Sequence, residues 1–240
     1  MPVRIVGLAG LPEVKAGDDL AALIRAAAPE VDSRTIVVVA QKIVSKAEGA
    51  VVDLRKIVPS PRAIDWAARY GKDARLIELA LRESRRIVRM ERGVLIGETR
   101  HGFITAHAGV DFSNVPGDHF ATTLPLDPDA SAAGIRAGLR CGAVIVSDTF
   151  GRPWREGLVN VAIGVAGLEP LADLRRTRDW TGKPLQSTLL ATADELAAAA
   201  GLVMPKAAGI PVAMITGFDW TGPGDSARRL IRPPETDLFR

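Results

Sequence analysis

The chain has 240 residues, enough for a single unit or two intertwined lobes and short for two independent domains. Apolar residues make up 47% and charged residues 25%, an ordinary globular balance that excludes a disordered or low-complexity chain. The formal charge of +3 is small, and the Arg-rich pieces LRESRRIVRMER, RRTR and RRLIR carry spaced apolar residues and few aromatics, so they read as solvated faces rather than a nucleic-acid stripe. Cys141 is the only cysteine, which excludes an intramolecular disulfide. The N-terminal apolar run is broken early by Gly and Pro, and no stretch approaches the roughly 20 apolar residues a bilayer requires, so the expectation is a cytoplasmic protein without membrane or nucleic-acid partners.

In chain order, Val3 to Leu8 reads as a strand, and Asp18 or Asp19 caps an amphipathic helix with Leu20, Leu23, Ile24 and Ala27 on one face. The β-branched run Thr35 to Ala40 predicts a buried strand; Lys42 to Lys46, the turn Ala47-Glu48-Gly49 and Val51-Val52 then read as strand, turn and strand with lysines at the rim. Ser60-Pro61 opens a helix into Tyr70, and a second helix runs from about Asp73 to Ser84. RIVRME, GVLIGE and GFITAHAGV are short strands suited to antiparallel pairing. Asp129 to Leu139 is a helix, Ala143 to Ser147 a buried strand and Val159 to Val165 a strand carrying Asn160. Thr192-Ala-Asp-Glu195 reads as a capping box opening an Ala-rich helix that Gly201 ends, and Pro211 to Gly217 is the last strand. Without a regular βαβ beat, the expected class is α+β with mixed, largely antiparallel sheets: one catalytic unit over 1–218 and a turn-rich surface tail over 219–240.

Four segments could carry chemistry. In HAGVDFSN an apolar strand ends at Asp111 beside Ser113 and Asn114; in VIVSDTFGRPWREG another runs into Ser147-Asp148-Thr149 before a Gly-Arg turn. Carboxylates at two strand ends could converge on a hard divalent ion, with the Thr149 hydroxyl near a second ion and Arg152 or Arg155 facing phosphate oxygens. The alternative is a pair of Asx-type turns and capped loops. Lys42, Ser45 and Lys46 in AQKIVSKAEG offer mobile cations for phosphates, the Leu11 to Val14 loop offers backbone to a nucleotide, and LVMPKAAGIPV with Lys206 could cover a phosphate chain. No Walker A, dinucleotide GxGxxG, HExxH or GxSxG pattern occurs, and His101, His107 and His119 lack zinc spacing.

Through GLPEV with GDDL, IVSKAEG, HAGVDFSN, VSDTFGR, AIGVAGL after Asn160, and ADELA leading to GIPV, the chain resembles the coenzyme F420 gamma-glutamyl ligase family over nearly its full length. The resemblance implies a cytoplasmic homodimer of two intertwined lobes that uses GTP with Mn2+ or Mg2+, and a monovalent cation such as K+, to join L-glutamate to a deazaflavin precursor through an acyl phosphate, with further gamma-linked glutamate added. It places Asp111 and Asp148 on one metal, Thr149 at a second, and Lys46 at the moving phosphate as the third catalytic residue. Leu11, Pro12, Glu13, Val14, Gln41, Lys42, Lys46 and Asn114 would contact GTP, and Met204, Pro205, Lys206, Ala207, Ala208, Gly209 and Ile210 would form the loop closing over it. Two departures stand out: Gln41-Lys42 replaces a Ser-Thr pair of some members, and Met204-Pro205 replaces a usual Met-Gly, removing one backbone N–H. The alternatives are a ligase of the same fold with another phosphorylated acid as acceptor, and a non-enzymatic basic binding module.

Overall fold

The computed structural model describes residues 2–115 and 117–238; Met1, Pro116, Phe239 and Arg240 lie outside them. Its elements are β1 Arg4–Gly7, α1 Leu20–Ala27, β2 Ile36–Ala40, α2 Gln41–Ala47, β3 Val51–Asp53, α3 Pro61–Tyr70, α4 Ala74–Glu83, β4 Ser84–Glu91, β5 Val94–Thr99, β6 Ile104–Ala106, β7 Phe120–Thr122, α5 Pro128–Leu139, β8 Ala143–Arg152, β9 Arg155–Ala166, β10 Ala172–Asp173, β11 Leu189–Leu190, α6 Thr192–Gly201 and β12 Val212–Thr216. The class is α+β, as the sequence suggests. A five-stranded sheet has the order β1-β12-β2-β8-β9, and only its β2–β8 pair is parallel.

That central pair explains the unbroken apolar runs. Val37, Val39, Val144 and Val146 point into a core shared with α1 and α5, whereas Ile36, Val38, Ala143 and Ile145 point into a second core shared with α6. A strand covered on both faces needs no polar alternation. Each fully buried Val or Ile contributes roughly 1.5–3 kcal/mol of transfer free energy, which makes this pair the anchor of the sheet.

Residues 51–122 form a second lobe inserted between α2 and α5. Antiparallel β3–β7 pairing closes its neck, β4-β5-β6 form a three-stranded sheet, and Leu54, Trp66, Ile77, Leu79, Leu95 and Val110 lie in its core. The Ser60 start and the acidic cap of α1 follow expectation. Ser60 accepts from Ala63 N with Pro61 at the first helical position, Asp73 caps α4, and Asp19 rather than Asp18 caps α1.

The structure corrects several local expectations. Gln41–Ala47 is a helix, not a strand and turn: it buries Ile43, Val44 and Ser45, and Ser45 donates to Gln41 Oε1 at 2.9 Å, so packing overrides the β preference of Ile-Val. Asp111 does not end a strand. β6 stops at Ala106, a 3-10 turn follows with left-handed His107 and Ala108, and Asp111 forms an isolated bridge to Thr122. Asp148 lies within β8 rather than at its end, because the strand continues through Gly151-Arg152 into a hairpin with β9. The Thr192 box does not form. Ala191 is the cap position with no side-chain bond, Ala193 N donates to Pro170 O, and Asp194 instead accepts from Ala162 N of β9 at 2.8 Å.

The segment read as a surface tail from 219 is anchored over its first part. Trp220 Nε1 donates to Gly167 O at 3.0 Å, and Ala227 is fully buried. Asp129 at the start of α5 accepts from Val165 N and Ala227 N at 2.9 Å and from Ser226 Oγ at 2.8 Å.

Between Val146 and Ser147 the β8–β9 register shifts, leaving Ile163 as an extra residue on β9. Next to it Gly164 passes so close to α5 that an added Cβ would lie 2.2 Å from Pro128 O. Gly164→Ala is therefore expected to destabilise the protein by about 1–3 kcal/mol through overpacking. Gly134→Ala, in α5 with open space around the new methyl, is expected to stabilise by about 0.5–1 kcal/mol. Urea denaturation of the two variants beside the parent checks both signs.

Candidate active site

The parallel pair delivers β2 and β8 to the same sheet edge, where a cleft of about 740 Å³ opens between the sheet, α2, the segment after Asp111 and the loop before β12. Lys42 and Lys46 lie four apart on α2, so one helix face presents both ammonium groups. Lys42 Nζ bonds Asp111 Oδ2 at 2.7 Å, Ser113 O at 2.7 Å and Ser113 Oγ at 2.6 Å, using all three donors on one segment of the inserted lobe. Lys46 is buried and donates to Glu13 Oε1 at 2.5 Å.

Asp111 and Asp148 occupy opposite electrostatic situations. Burial alone would push the Asp111 carboxyl up, but the Lys42 hydrogen bond and the Ser113 N–H, 2.7 Å from Oδ1, outweigh it and hold the group below the usual carboxylate range. Asp148 is dominated by burial, opposed by a 2.7 Å bond from Thr149 N and reinforced by the negative charge of Asp111, and its carboxyl is pushed up to about 6. Among the described residues that Thr149 N–H is its only hydrogen-bond partner. Thr149 Oγ1 donates to Asn160 Oδ1 at 3.1 Å on the adjacent strand, leaving the hydroxyl lone pairs open.

Nearly all the residues singled out from the sequence line this cleft. The Leu11 to Val14 loop, Gln41, Lys42, Lys46, Asp111, Asn114, Asp148, Thr149 and the Met204 to Ile210 loop do so with one exception, Ala208, which donates its N–H to Pro205 O in a turn. Arg152 and Arg155 do not reach it; both are exposed on the hairpin, where Arg152 donates to Glu156 O. Sequence reasoning named two participants without giving either a role. Ser113 holds Lys42 through its carbonyl and hydroxyl, and Asn160 positions Thr149. The cross-strand pairing of Thr149 with Asn160 follows from the register of a hairpin that was read only as two shorter strands.

The donor set fits a hard divalent cation. Asp111, Asp148, Thr149 and Asn114 bring hard oxygen donors to a single cavity, and Asp148 carries buried negative charge that a cation would relieve. No group of three His, Cys, Asp or Glu gathers in metal-binding geometry among the described residues. A site with one or two carboxylates suits an ion that completes its shell with water and phosphate oxygens.

Residues 10–217 match the family described as F420-0:Gamma-glutamyl ligase. The chain belongs to this family. It is also similar over its full length to the coenzyme F420:L-glutamate ligase of Methanothermobacter thermautotrophicus, at 48% identity with 100% of each chain covered. The coenzyme F420:L-glutamate ligase of Methanopyrus kandleri is 45% identical, covering 95% of this chain and 94% of the relative, and that of Methanocaldococcus jannaschii 41%, covering 99% and 97%. No helix among the described residues is long and apolar enough to cross a membrane.

The raised carboxyl of Asp148 fixes the sign of a stability effect. A folded-state value of about 6 lies above the ordinary 3.8, so the folded protein binds the extra proton between those values and stability falls as pH rises through that window. Above pH 6 the charged group costs the metal-free protein about 1–3 kcal/mol. Asp148→Asn keeps an acceptor for Thr149 N, so it is expected to raise the melting temperature of the metal-free protein at pH 8 and to flatten the pH 4–6 dependence. Melting curves across that range check it.

Proposed function

We propose that this F420 ligase joins L-glutamate to a deazaflavin precursor at the expense of GTP, releasing GDP and phosphate, and adds further gamma-linked glutamate. The observation that carries the reading is the convergence of Lys42, Lys46 and Lys206 with Asp111 and Asp148 on one cleft, in a chain whose family and relatives are glutamyl ligases of this coenzyme. Three ammonium groups supply the positive field a triphosphate needs, and the two carboxylates supply hard donors for Mn2+ or Mg2+.

A free carboxylate resists attack by an amine. In the proposed sequence its oxygen attacks the γ-phosphorus of GTP, the bond to the bridging oxygen breaks, and GDP leaves. The glutamate amine then attacks the acyl carbon, phosphate departs, and the amine loses its proton to form the amide. A divalent ion held by Asp111 and Asp148, with a second beside Thr149, would stabilise phosphate charge as it moves. Lys46 faces the same cavity and would draw charge from the transferring group, where a pre-positioned cation lowers the barrier most. Lys206, whose charge reaches Asp148 across the cleft, sits on the loop that would cover the phosphates. The loop gains rigidity from Pro205 and from the Ala208 N–H to Pro205 O turn.

The protein acts as a cytoplasmic homodimer in this reading, supported by the apolar surface that Trp154 and Leu158 expose on the hairpin, 82% and 61% accessible. Light scattering of the purified protein checks the dimer.

Purified protein with GTP, MnCl2, L-glutamate and the deazaflavin precursor is expected to yield glutamylated product and GDP in equal amounts, read by chromatography. Product without GDP, or no product, rejects the GTP-dependent reaction. Asp111→Asn and Asp148→Asn are each expected to lower turnover at least about a hundredfold while melting cooperatively. Lys206→Ala is expected to raise the KM for GTP about tenfold with a smaller change in kcat, the effect of losing one charge-assisted contact.

A further inference from the structure

Lys42 is held in an unusual way for a residue meant to meet a ligand. All three of its ammonium donors are spent on the Asp111–Ser113 segment, at 2.6–2.7 Å, and its side chain is only 16% exposed. The same carboxylate it holds is one of two available to a cation in the cleft. Lys46, one turn further along the same helix face, is tied in turn to Glu13. α2 is therefore already loaded with acidic partners before any phosphate arrives, and a lysine engaged on three oxygens cannot also neutralise a phosphate.

We infer that Lys42 is an internal counter-ion that a divalent metal must displace from Asp111, and that the displaced ammonium then turns to the phosphate chain. The inference rests on the proposed metal site but adds an ordering to it. Without metal, Lys42 keeps the negative charge of Asp111 compensated beside Asp148. When a doubly charged ion takes over that duty, the ammonium is repelled and freed. Residues four apart on a helix have Cβ atoms about 5–6 Å apart, so the two flexible lysine side chains can reach neighbouring phosphate groups. Metal and triphosphate should consequently bind with positive coupling, each favouring the arrangement the other requires.

The competition has a measurable size. If the metal-competent arrangement is populated in a tenth of molecules or fewer, intrinsic affinity is masked about tenfold or more. Calorimetric titration of MnCl2 alone into the metal-free wild-type, K42M and K206M proteins tests this, with Lys206→Met removing the same charge from the cleft without touching Asp111. K42M is expected to bind Mn2+ at least about tenfold more tightly than wild type, with K206M changing much less. Equal tightening in both variants would show a general field effect and overturn the inference, as would unchanged or weaker binding in K42M. Binding to the wild type with no gain in K42M leaves the ligase reading standing, whereas no Mn2+ binding by any of the proteins removes the metal site and the counter-ion together.

Should K42M fail to melt cooperatively, K42Q takes its place, and the wild type provides a separate readout. The 15N-labelled Lys42 ammonium resonance, protected from exchange in the metal-free protein, is expected to lose protection on addition of MgCl2. Protection that persists at saturating Mg2+ overturns displacement.

Discussion

Two carboxylates from different lobes share one cleft, and burial makes it costly to charge both at neutral pH unless cations compensate them. Asp111 meets this constraint with a lysine and a backbone N–H, whereas Asp148 has one N–H and a carboxyl displaced upward by burial. Much of the surrounding design answers that imbalance. The two lysines of α2, Lys206 on the loop before β12 and the open lone pairs of Thr149 all stand where a bound ion and its phosphate partners would restore neutrality.

The backbone brings these groups together by two devices. The parallel β2–β8 pair carries α2 and Asp148 to one edge, since β2 passes without a gap into Gln41 and β8 passes Ser147 into Asp148. The extra residue on β9 at Ile163 then shifts the register immediately before Asp148, so that Thr149 faces Asn160. A bulge of this kind re-aims side chains next to a site. The bare Gly164 lets the bulged strand approach the start of α5, which no side chain at that position would permit.

Much of the framework was legible in the sequence because its signals are local. The β-branched runs of β2 and β8, the Ser60-Pro61 start and the Asp19 cap each depend on a few neighbouring residues and are legible in the sequence. The misreadings share a cause, contacts distant along the chain. Ile43 and Val44 look like strand residues until the core they fill is known. Thr192 and Glu195 fit a capping box until the helix is seen to start one residue earlier at an Ala191 cap, with the neighbouring Asp194 turned to Ala162 N of β9. Nothing near Asp111 announces that a lysine 69 positions earlier will bind it, although two lysines four apart after a strand were a hint of helical spacing. The carboxylates and lysines of the cleft stand out by residue chemistry and the family resemblance gathers them into one site, whereas the ion pairs inside it depend on the fold.

The inserted lobe has a consequence for how the chain reaches this state. Its core is assembled from residues 51–122, and β3–β7 pairing joins its two ends, so it can organise from contacts close along the chain. The central sheet cannot: Ser147 meets Val39 across 108 positions, and Ile36 pairs with Ala143. Closing a loop of that length is entropically slow when the intervening chain is unstructured, and faster when a folded unit has already brought its ends together. The insertion thus acts as a clasp that shortens the loop to be closed, and the carboxylate it carries can meet Asp148 only once the long-range β2–β8 pairing has formed.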